Sequence, residues 1–329
     1  MVAIVSKQIR VNNAGNFRDD VGTDSTYLYI GRSHAWPSSD TAIATPVDTV
    51  FDKNNVHQNM IALKKVAQSD VSHSITRYNW LSGTTYVPYD DQLSTLSTSQ
   101  YYVITDELNV YKCLDAGAGA SVVKPTGQTT NAANAVESDG YVWKFMATLS
   151  GTQATKFLTN SFVPVNVITS NDGSLQYDVQ TNAQNGSIHR IKLIGGGSGY
   201  TSTPTVTVTG NGSSATAAAT VVGGVVTAIS MSNIGTGYDE ALVAITGGGG
   251  TGATARAIIS PPGGHGANMA DELGAFFIMC NINLDSAEGS GDFPIDITQD
   301  PENQDTTVSN ANILVRINNH FYRSGTGLA

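Results

Sequence analysis

An internal repeat constrains this sequence more than any other feature. Gly197-Ser198-Gly199-Tyr200 returns 38 residues later as Gly235-Thr236-Gly237-Tyr238. Each tyrosine is followed by an alternating run that closes on glycine: Val206-Thr207-Val208-Thr209-Gly210, then Val243-Ala244-Ile245-Thr246-Gly247. A Gly-rich turn leads on to Ala215-Thr216-Ala217 in one copy and Ala253-Thr254-Ala255 in the other. Alternation of period two gives a strand one packed face, and glycine admits the positive-φ turns between strands. Between the copies, Val221-Val222 and Val225-Val226 flank Gly223-Gly224, a hairpin signal. The repeat therefore predicts a Gly-rich β module of two copies, placed at residues 186–260. It is inserted between two parts of a core, residues 1–185 and residues 261–329. From Gly195 to Ser260 only Asp239, Glu240 and Arg256 are charged, so the composition changes sharply at this module.

Outside the module the pattern also reads as mainly β. Val2 to Val5, Ile9 to Val11 and Tyr27 to Ile30 are short strand-like runs. One helix is expected after Pro46, with Asp48 as an early acidic residue. Its stripe runs through Val47, Val50, Phe51, Val56, Met60, Leu63 and Lys64, and Gln68-Ser69-Asp70 ends it. Tyr101 to Ile104 and Val110 to Leu114 read as two strands joined by the polar turn 106–109. Asp115 to Asp139 reads as a long loop, and Tyr141 to Leu149 as a further buried element. Leu273 to Asn283 is strongly apolar and reads as a central buried strand. Ile313 to Ile317 is expected to be the last strand.

Charge limits the partners. Charged residues make up 13% of the 329, and the net charge is −10. Nucleic-acid binding needs clustered Lys and Arg. The densest basic pair here is Lys64-Lys65, read as a solvated face, so no nucleic-acid partner is expected. The longest apolar stretch, Ala275 to Cys280, falls far short of the ~20 residues a membrane span needs. The charges Lys7 and Arg10 follow the apolar start Met1 to Val5, the reverse of a signal peptide. Synthesis in a cytoplasm and no membrane partner are the expectation. Cys113 and Cys280 fit no metal or redox spacing and read as two reduced core thiols.

No motif makes a convincing case for catalysis. Gly247 to Gly252 formally matches G-x-G-x-x-G, with Asp271-Glu272 about 20 residues on. The run after it meets Pro261-Pro262 too soon for the helix that would hold a pyrophosphate. The first copy has Gly210-Asn211-Gly212 at the same place, so these glycines belong to the repeat. No Gly-Lys-Ser/Thr follows a Gly-rich loop. The six histidines form no ligand pair, so neither metal nor cofactor is expected. His265, between Gly264 and Gly266, reads as a turn histidine bonded to backbone. Asp90-Asp91 reads as a solvated acidic pair. Carboxylates dispersed along the chain still leave room for a polysaccharide-degrading enzyme. Aromatics sit close to turns at Trp36-Pro37, Trp80, Tyr86 to Tyr89 and Trp143. Such residues are enriched in protein interfaces and are equally often core plugs. Trp36, Trp80 and Trp143 are the candidate interface residues.

Three segments together carry a resemblance. Tyr29-Ile30-Gly31-Arg32-Ser33-His34-Ala35-Trp36 comes first. Asp139-Gly140-Tyr141-Val142-Trp143-Lys144-Phe145 is in step with the upstream Val110-Tyr111-Lys112-Cys113-Leu114-Asp115. His265-Gly266 then leads into Glu272-Leu273-Gly274-Ala275-Phe276-Phe277. The set resembles the gene product eight baseplate wedge subunits of T-even-type contractile-tailed phages, in a cyanophage-like form. The resemblance covers most of residues 1–185 and 261–329, and the repeat module departs from it. It implies a β-sandwich core with one or two helix-bearing loops. It implies a homodimer that meets other wedge proteins in the virion tail baseplate, with no catalysis and no cofactor. The alternative is a carbohydrate- or receptor-binding tail module, argued from the Gly/Thr repeat and the aromatics.

Overall fold

In the computed structural model the described residues are 6–31, 49–50, 60–131 and 136–282, with short strands at 322–323 and 327–328. Contacts group the chain into two compact units. One takes residues 16–71 and 280–329, the other residues 1–15 and 72–279.

The chain enters a helix, α1 (Lys7–Thr23). The Ser6 hydroxyl accepts from Ile9 N at 3.3 Å, as a helix-opening side chain does. This corrects the strand expected at Ile9 to Val11. Val11, Ala14 and Val21 are buried at helical spacing, while Asn12, Asn13, Gly15 and Asn16 are weak helix formers that mask the stripe. Val2 to Val5 lie outside the described residues.

The first unit holds β1 (Tyr27–Gly31), as expected, paired antiparallel with β2 (Met60–Lys65) in the register Tyr27↔Lys65 and Ile30↔Ala62. This corrects the C-terminal end of the expected helix: Met60, Leu63 and Lys64 lie in a strand. Pairing with β1 satisfies their backbone groups, and tertiary context overrides the apparent helical period. Pro46 to Asp48 and Phe51 to Val56 lie outside the described residues. A 3-10 turn at Gln68–Asp70 follows, closed by Ala67 N donating to Asp70 Oδ2 at 3.0 Å.

The second unit contains two small sheets that share one apolar core. Its elements are β3 (Val71–Thr76), β4 (Tyr102–Ile104), β5 (Asn109–Asp115), β6 (Val142–Thr148), α2 (Gly151–Phe157), β7 (Phe162–Val165) and α3 (Leu175–Thr181). β4, β5 and β6 form an antiparallel sheet with Tyr102, Lys112 and Lys144 in register. The β4–β5 hairpin falls where the sequence puts it, and Leu108 takes the left-handed position of its turn (φ 64°). The expected loop after Asp115 is held at several points: the Asp139 carboxylate accepts from Val122 N, Val123 N and Tyr141 N, and Ser121 N donates to Thr84 O at 2.8 Å.

The repeat occupies six strands. They are β8 (Ile188–Ser198), β9 (Thr205–Gly210), β10 (Ser213–Val222), β11 (Val225–Thr236), β12 (Ala241–Thr246) and β13 (Thr251–Ile259). The two copies exchange strands. β10 of the first copy pairs with β11 of the second, with Ala215↔Ile234, Ala217↔Met231 and Val221↔Val226. β13 of the second pairs with β8 of the first, with Ala253↔Gly196, Ala255↔Leu193 and Ile259↔Ile188. These are the same pairs displaced by one repeat, and the irregularities at Thr216/Ala217 and Thr220/Val221 recur at Thr254/Ala255 and Ile258/Ile259. β9 and β12 pair across the middle, with Val208↔Val243. The tyrosines are exchanged too. Tyr200 OH accepts from Ala253 N at 3.3 Å, and Tyr238 OH accepts from Ala215 N at 3.4 Å. A Cβ at Gly212 would lie 2.4 Å from Tyr238 Cγ, and one at Gly250 would lie 2.5 Å from Tyr200 Cγ. Each tyrosine ring therefore lies on the glycine turn of the other copy, which explains the strict Gly-Tyr pattern. Gly223 and Gly224 make the β10–β11 turn with φ of 60° and 79°, as a two-residue hairpin requires.

The apolar run near the C-terminal end corrects another expectation. Met269–Leu273 is a short helix, α4, opened by Asn268 Oδ1 accepting from Asp271 N at 3.1 Å and ended by Gly274 at φ 72°. Only Phe277–Cys280 is a strand, β14, and it lies at the edge of the sheet β14-β3-β7 rather than at the centre of one. Phe277 is 38% exposed there. Of the expected strand Leu273 to Asn283, Leu273 ends the helix, Gly274 to Phe276 form the connection, and only Phe277 to Cys280 are strand. Ile75, Val163 and Val165 of this sheet pack with Ile104, Val110 and Met146 of the other, and Met269 and Leu273 of α4 join the same cluster. Ile313 to Ile317 lie outside the described residues. The fold is mainly β.

Candidate functional site

Two of the three segments that carry the resemblance meet in a buried charge network. Lys112 comes from the middle of β5 and Glu272 from α4. Lys112 Nζ lies 2.5 Å from Glu272 Oε2, with only 0% and 2% of the two side chains exposed. Glu272 Oε1 accepts from Gly266 N at 2.7 Å and from Asn268 N at 3.3 Å, so the carboxylate also ties down the loop that precedes its own helix. Its backbone carbonyl accepts from Tyr101 OH at 2.7 Å. The ammonium of Lys112 lies 4.3 Å from the centre of the Tyr89 ring. Burial lowers the Lys112 pKa, although the Glu272 carboxylate opposes the shift.

Further basic groups crowd this pair. Lys144 stands directly opposite Lys112 on the neighbouring strand and donates to Thr130 O at 2.8 Å. Lys7 of α1 donates to Tyr101 OH at 3.1 Å. Burial pulls Lys7 and Lys144 down to about 8, each helped by the charge of Lys112. His189 is pushed down to about 4 by burial and by the two lysines, 144 and 112. His265 is held far below its usual value for the same reasons, with His189 adding to them.

His265 differs from its expected role. It is buried, its ring meets Tyr89 edge-on at 4.9 Å and His189 at 5.0 Å, and its Nδ1 has no hydrogen-bond partner among the described residues. Ring packing holds it, not the backbone bond expected of a turn histidine. The network is sealed: neither Lys112 nor Glu272 can reach a solute in this conformation. An ion pair so enclosed specifies how strands and helix fit together, since removing either partner would strand a charge.

A second cluster joins the repeat strands to the loop before β4. Arg256 Nη2 lies 2.5 Å from Asp90 Oδ1, and its Nη1 lies 2.7 Å from Asp91 Oδ1. Lys192, paired with Arg256 across β8 and β13, lies 3.1 Å from Asp90 Oδ2. Arg190 donates to Tyr89 O at 3.1 Å and pairs with Asp115 at 3.4 Å. Asp90 is buried rather than solvated, which corrects the reading of Asp90-Asp91 as a surface pair. Burial alone would raise its pKa. Hydrogen bonds from Arg256, Gln92 N and Lys192 outweigh that and hold it below the usual carboxylate value.

The candidate interface tryptophans separate. Trp143 is fully buried, stacked on Tyr141 at 5.7 Å with Tyr86 edge-on at 5.4 Å. It is a core residue and offers no surface to a partner, because its strand is covered on both faces. Trp80 is partly buried, and its indole N–H donates to Ser121 Oγ at 3.2 Å. Trp36 lies outside the described residues. Of the cysteines, Cys113 is buried and Cys280 is exposed, so only one is the expected core thiol. Sequence reasoning missed Lys112, Lys144 and Glu272 as a set. The available signal was a single lysine in the middle of each of two apolar strands, where a cation needs a buried partner.

Among the described residues no group of His, Cys, Asp and Glu is arranged to hold a metal ion, and no helix is long and apolar enough to cross a membrane. The run after Gly247–Gly252 is strand β13, which has no helix N-terminus to offer a phosphate. No model of a known protein family matches the sequence, and no characterised protein matches it.

Proposed function

We propose that this chain is a structural subunit that acts by protein–protein assembly and carries no catalytic activity. Within that class we propose the particular role of a wedge subunit of a contractile phage tail baseplate, paired as a homodimer and touching other wedge proteins. One observation carries the reading. The strand segment with Lys112, the strand segment with Lys144 and the loop-helix segment with Glu272 are far apart in sequence, and they bear two of the three resembling motifs. They converge on a single buried network. Motifs that are physically coupled mark a shared core, where chance matches would be scattered. The apolar cluster shared by two small sheets supports the β-sandwich core that the resemblance implies. Residues 186–260 form an inserted module, held on the core by Arg190, Lys192 and Arg256.

The low charge of the whole chain suits a subunit whose surface is largely covered by neighbours. Light scattering at micromolar concentration tests the dimer. Twice the chain mass is expected, and a monomer would overturn this part of the proposal.

A further inference from the structure

We propose that an open cleft beside Trp80 binds a hexuronate unit of an acidic saccharide. The cleft has a volume of about 460 Å³ and is walled by Arg77, Asn79, Trp80, Thr105, Asp106 and Lys124. That size lies within the range of small-ligand sites. The segment that carries it is rigid. Arg77 N donates to Ser161 O at 2.8 Å, Ile104 N to Tyr78 O at 2.8 Å, and Trp80 N to Ile104 O at 2.9 Å, so residues 77–80 are held extended from both sides.

Extended backbone puts Arg77 and Asn79 on one side, and Arg77 Nε donates to Asn79 Oδ1 at 2.8 Å. Arg77 Nη1 donates to Thr159 O at 2.8 Å. These bonds orient the guanidinium and leave its Nη2, and the amide nitrogen of Asn79, without an acceptor among the described residues. The indole of Trp80 is fixed by its bond to Ser121.

Charge selects the ligand. Lys124 is already paired with Asp106 and Glu107. Arg77 donates only to neutral acceptors, Asn79 Oδ1 and Thr159 O, so among the described residues of the cleft wall it is the cation without a carboxylate partner. A planar guanidinium suits a carboxylate, which it can bind through two parallel bonds. An indole suits the apolar C–H face of a sugar ring, and an amide suits a ring hydroxyl. A hexuronate offers all three on one ring. A bare inorganic anion would make no use of Trp80, and a neutral hexose would leave Arg77 unmatched. This inference is independent of the assembly reading, which stands or falls separately.

Calorimetric titration of the full chain tests it, with trigalacturonate, galacturonate and neutral maltotriose as probes. Saturable binding of trigalacturonate is expected, with maltotriose at least about tenfold weaker. Galacturonate alone should bind detectably if the site reads a single unit. Arg77→Gln should weaken binding by roughly tenfold, the scale of one lost charge-assisted contact, and Asn79→Ala by less. Both positions are peripheral to the core, so these variants serve if Trp80→Ala fails to fold. No saturable binding of either uronate, equal binding of maltotriose, or binding unchanged in Arg77→Gln would overturn the proposal. It would also be overturned if uronates do not bind and Trp80→Ala dissociates the dimer, since the cleft would then be a protein contact.

Discussion

Replacing Glu272 with glutamine should be the most damaging isosteric change in the chain. The substitution keeps the side-chain shape and an oxygen that can still accept from Gly266 N and Asn268 N. It removes the negative charge 2.5 Å from Lys112 Nζ, in a site where both side chains are sealed from solvent. Lys112 would then be a buried cation whose remaining support is the face of Tyr89. Breaking one side of a buried pair costs about 3–5 kcal/mol. With a urea dependence near ~3 kcal/mol per molar, suited to a chain of this size, the unfolding midpoint should fall by about 1 M or more. Lys112→Met in the same chain removes the stranded charge, so the double variant should be more stable than Glu272→Gln alone. The double-mutant cycle should give a coupling of about 2 kcal/mol. Urea unfolding followed by tryptophan fluorescence is a suitable assay, because Trp143 lies in the adjoining core. A Glu272→Gln cost below about 1 kcal/mol, or purely additive variants, would refute the claim that this pair organises the core.

Acid should weaken the fold in a defined window. His189 is depressed to about 4 from an unfolded value near 6.5, so its contribution is full above 6.5 and is lost as pH falls from 6.5 towards 4, by about 3 kcal/mol. His265, also depressed, acts in the same direction, and His189→Asn should flatten the slope of the urea midpoint between pH 7 and 4.5. Gly212→Ala and Gly250→Ala should destabilise to a similar extent, each by more than about 2 kcal/mol, because a Cβ at either would meet a tyrosine ring of the other copy. Thermal melts of the two variants check this, and markedly unequal shifts would count against the exchanged-copy arrangement. Arg256→Ala should cost about 1–3 kcal/mol by stripping buried Asp90 of its closest partner. Lys192→Ala should cost less, since that side chain is half exposed, and chemical denaturation of both variants gives the comparison.

What could be read in the sequence follows physical range. The repeat was legible because its constraints are local: glycines at turns, alternation along strands and a fixed period. Its strand exchange was not, because equal copies give the same pattern whether each folds alone or pairs with the other. The β4–β5 hairpin was legible from a polar turn between two apolar runs. Helix α1 was missed because asparagines and glycine interrupt its buried stripe, and β2 because Met60 and Leu63 mimic a helical step. Leu273 to Asn283 shows the limit of apolarity as a guide, since buried Leu273 and Ala275 and the exposed edge residue Phe277 share one composition. The buried network lay beyond reach in detail. Lys112, Lys144 and Glu272 were visible inside motifs, but only the fold shows that one carboxylate serves strands more than a hundred residues away in sequence.

The most direct test of the proposed assembly role is the position of this chain in intact particles of a contractile-tailed phage whose genome carries its sequence. Electron cryo-microscopy of the tail should reveal density for the two small sheets that share a core and for the six repeat strands, in paired copies within the baseplate body. Density at fibre tips alone, or the absence of the chain from purified particles, would contradict the account.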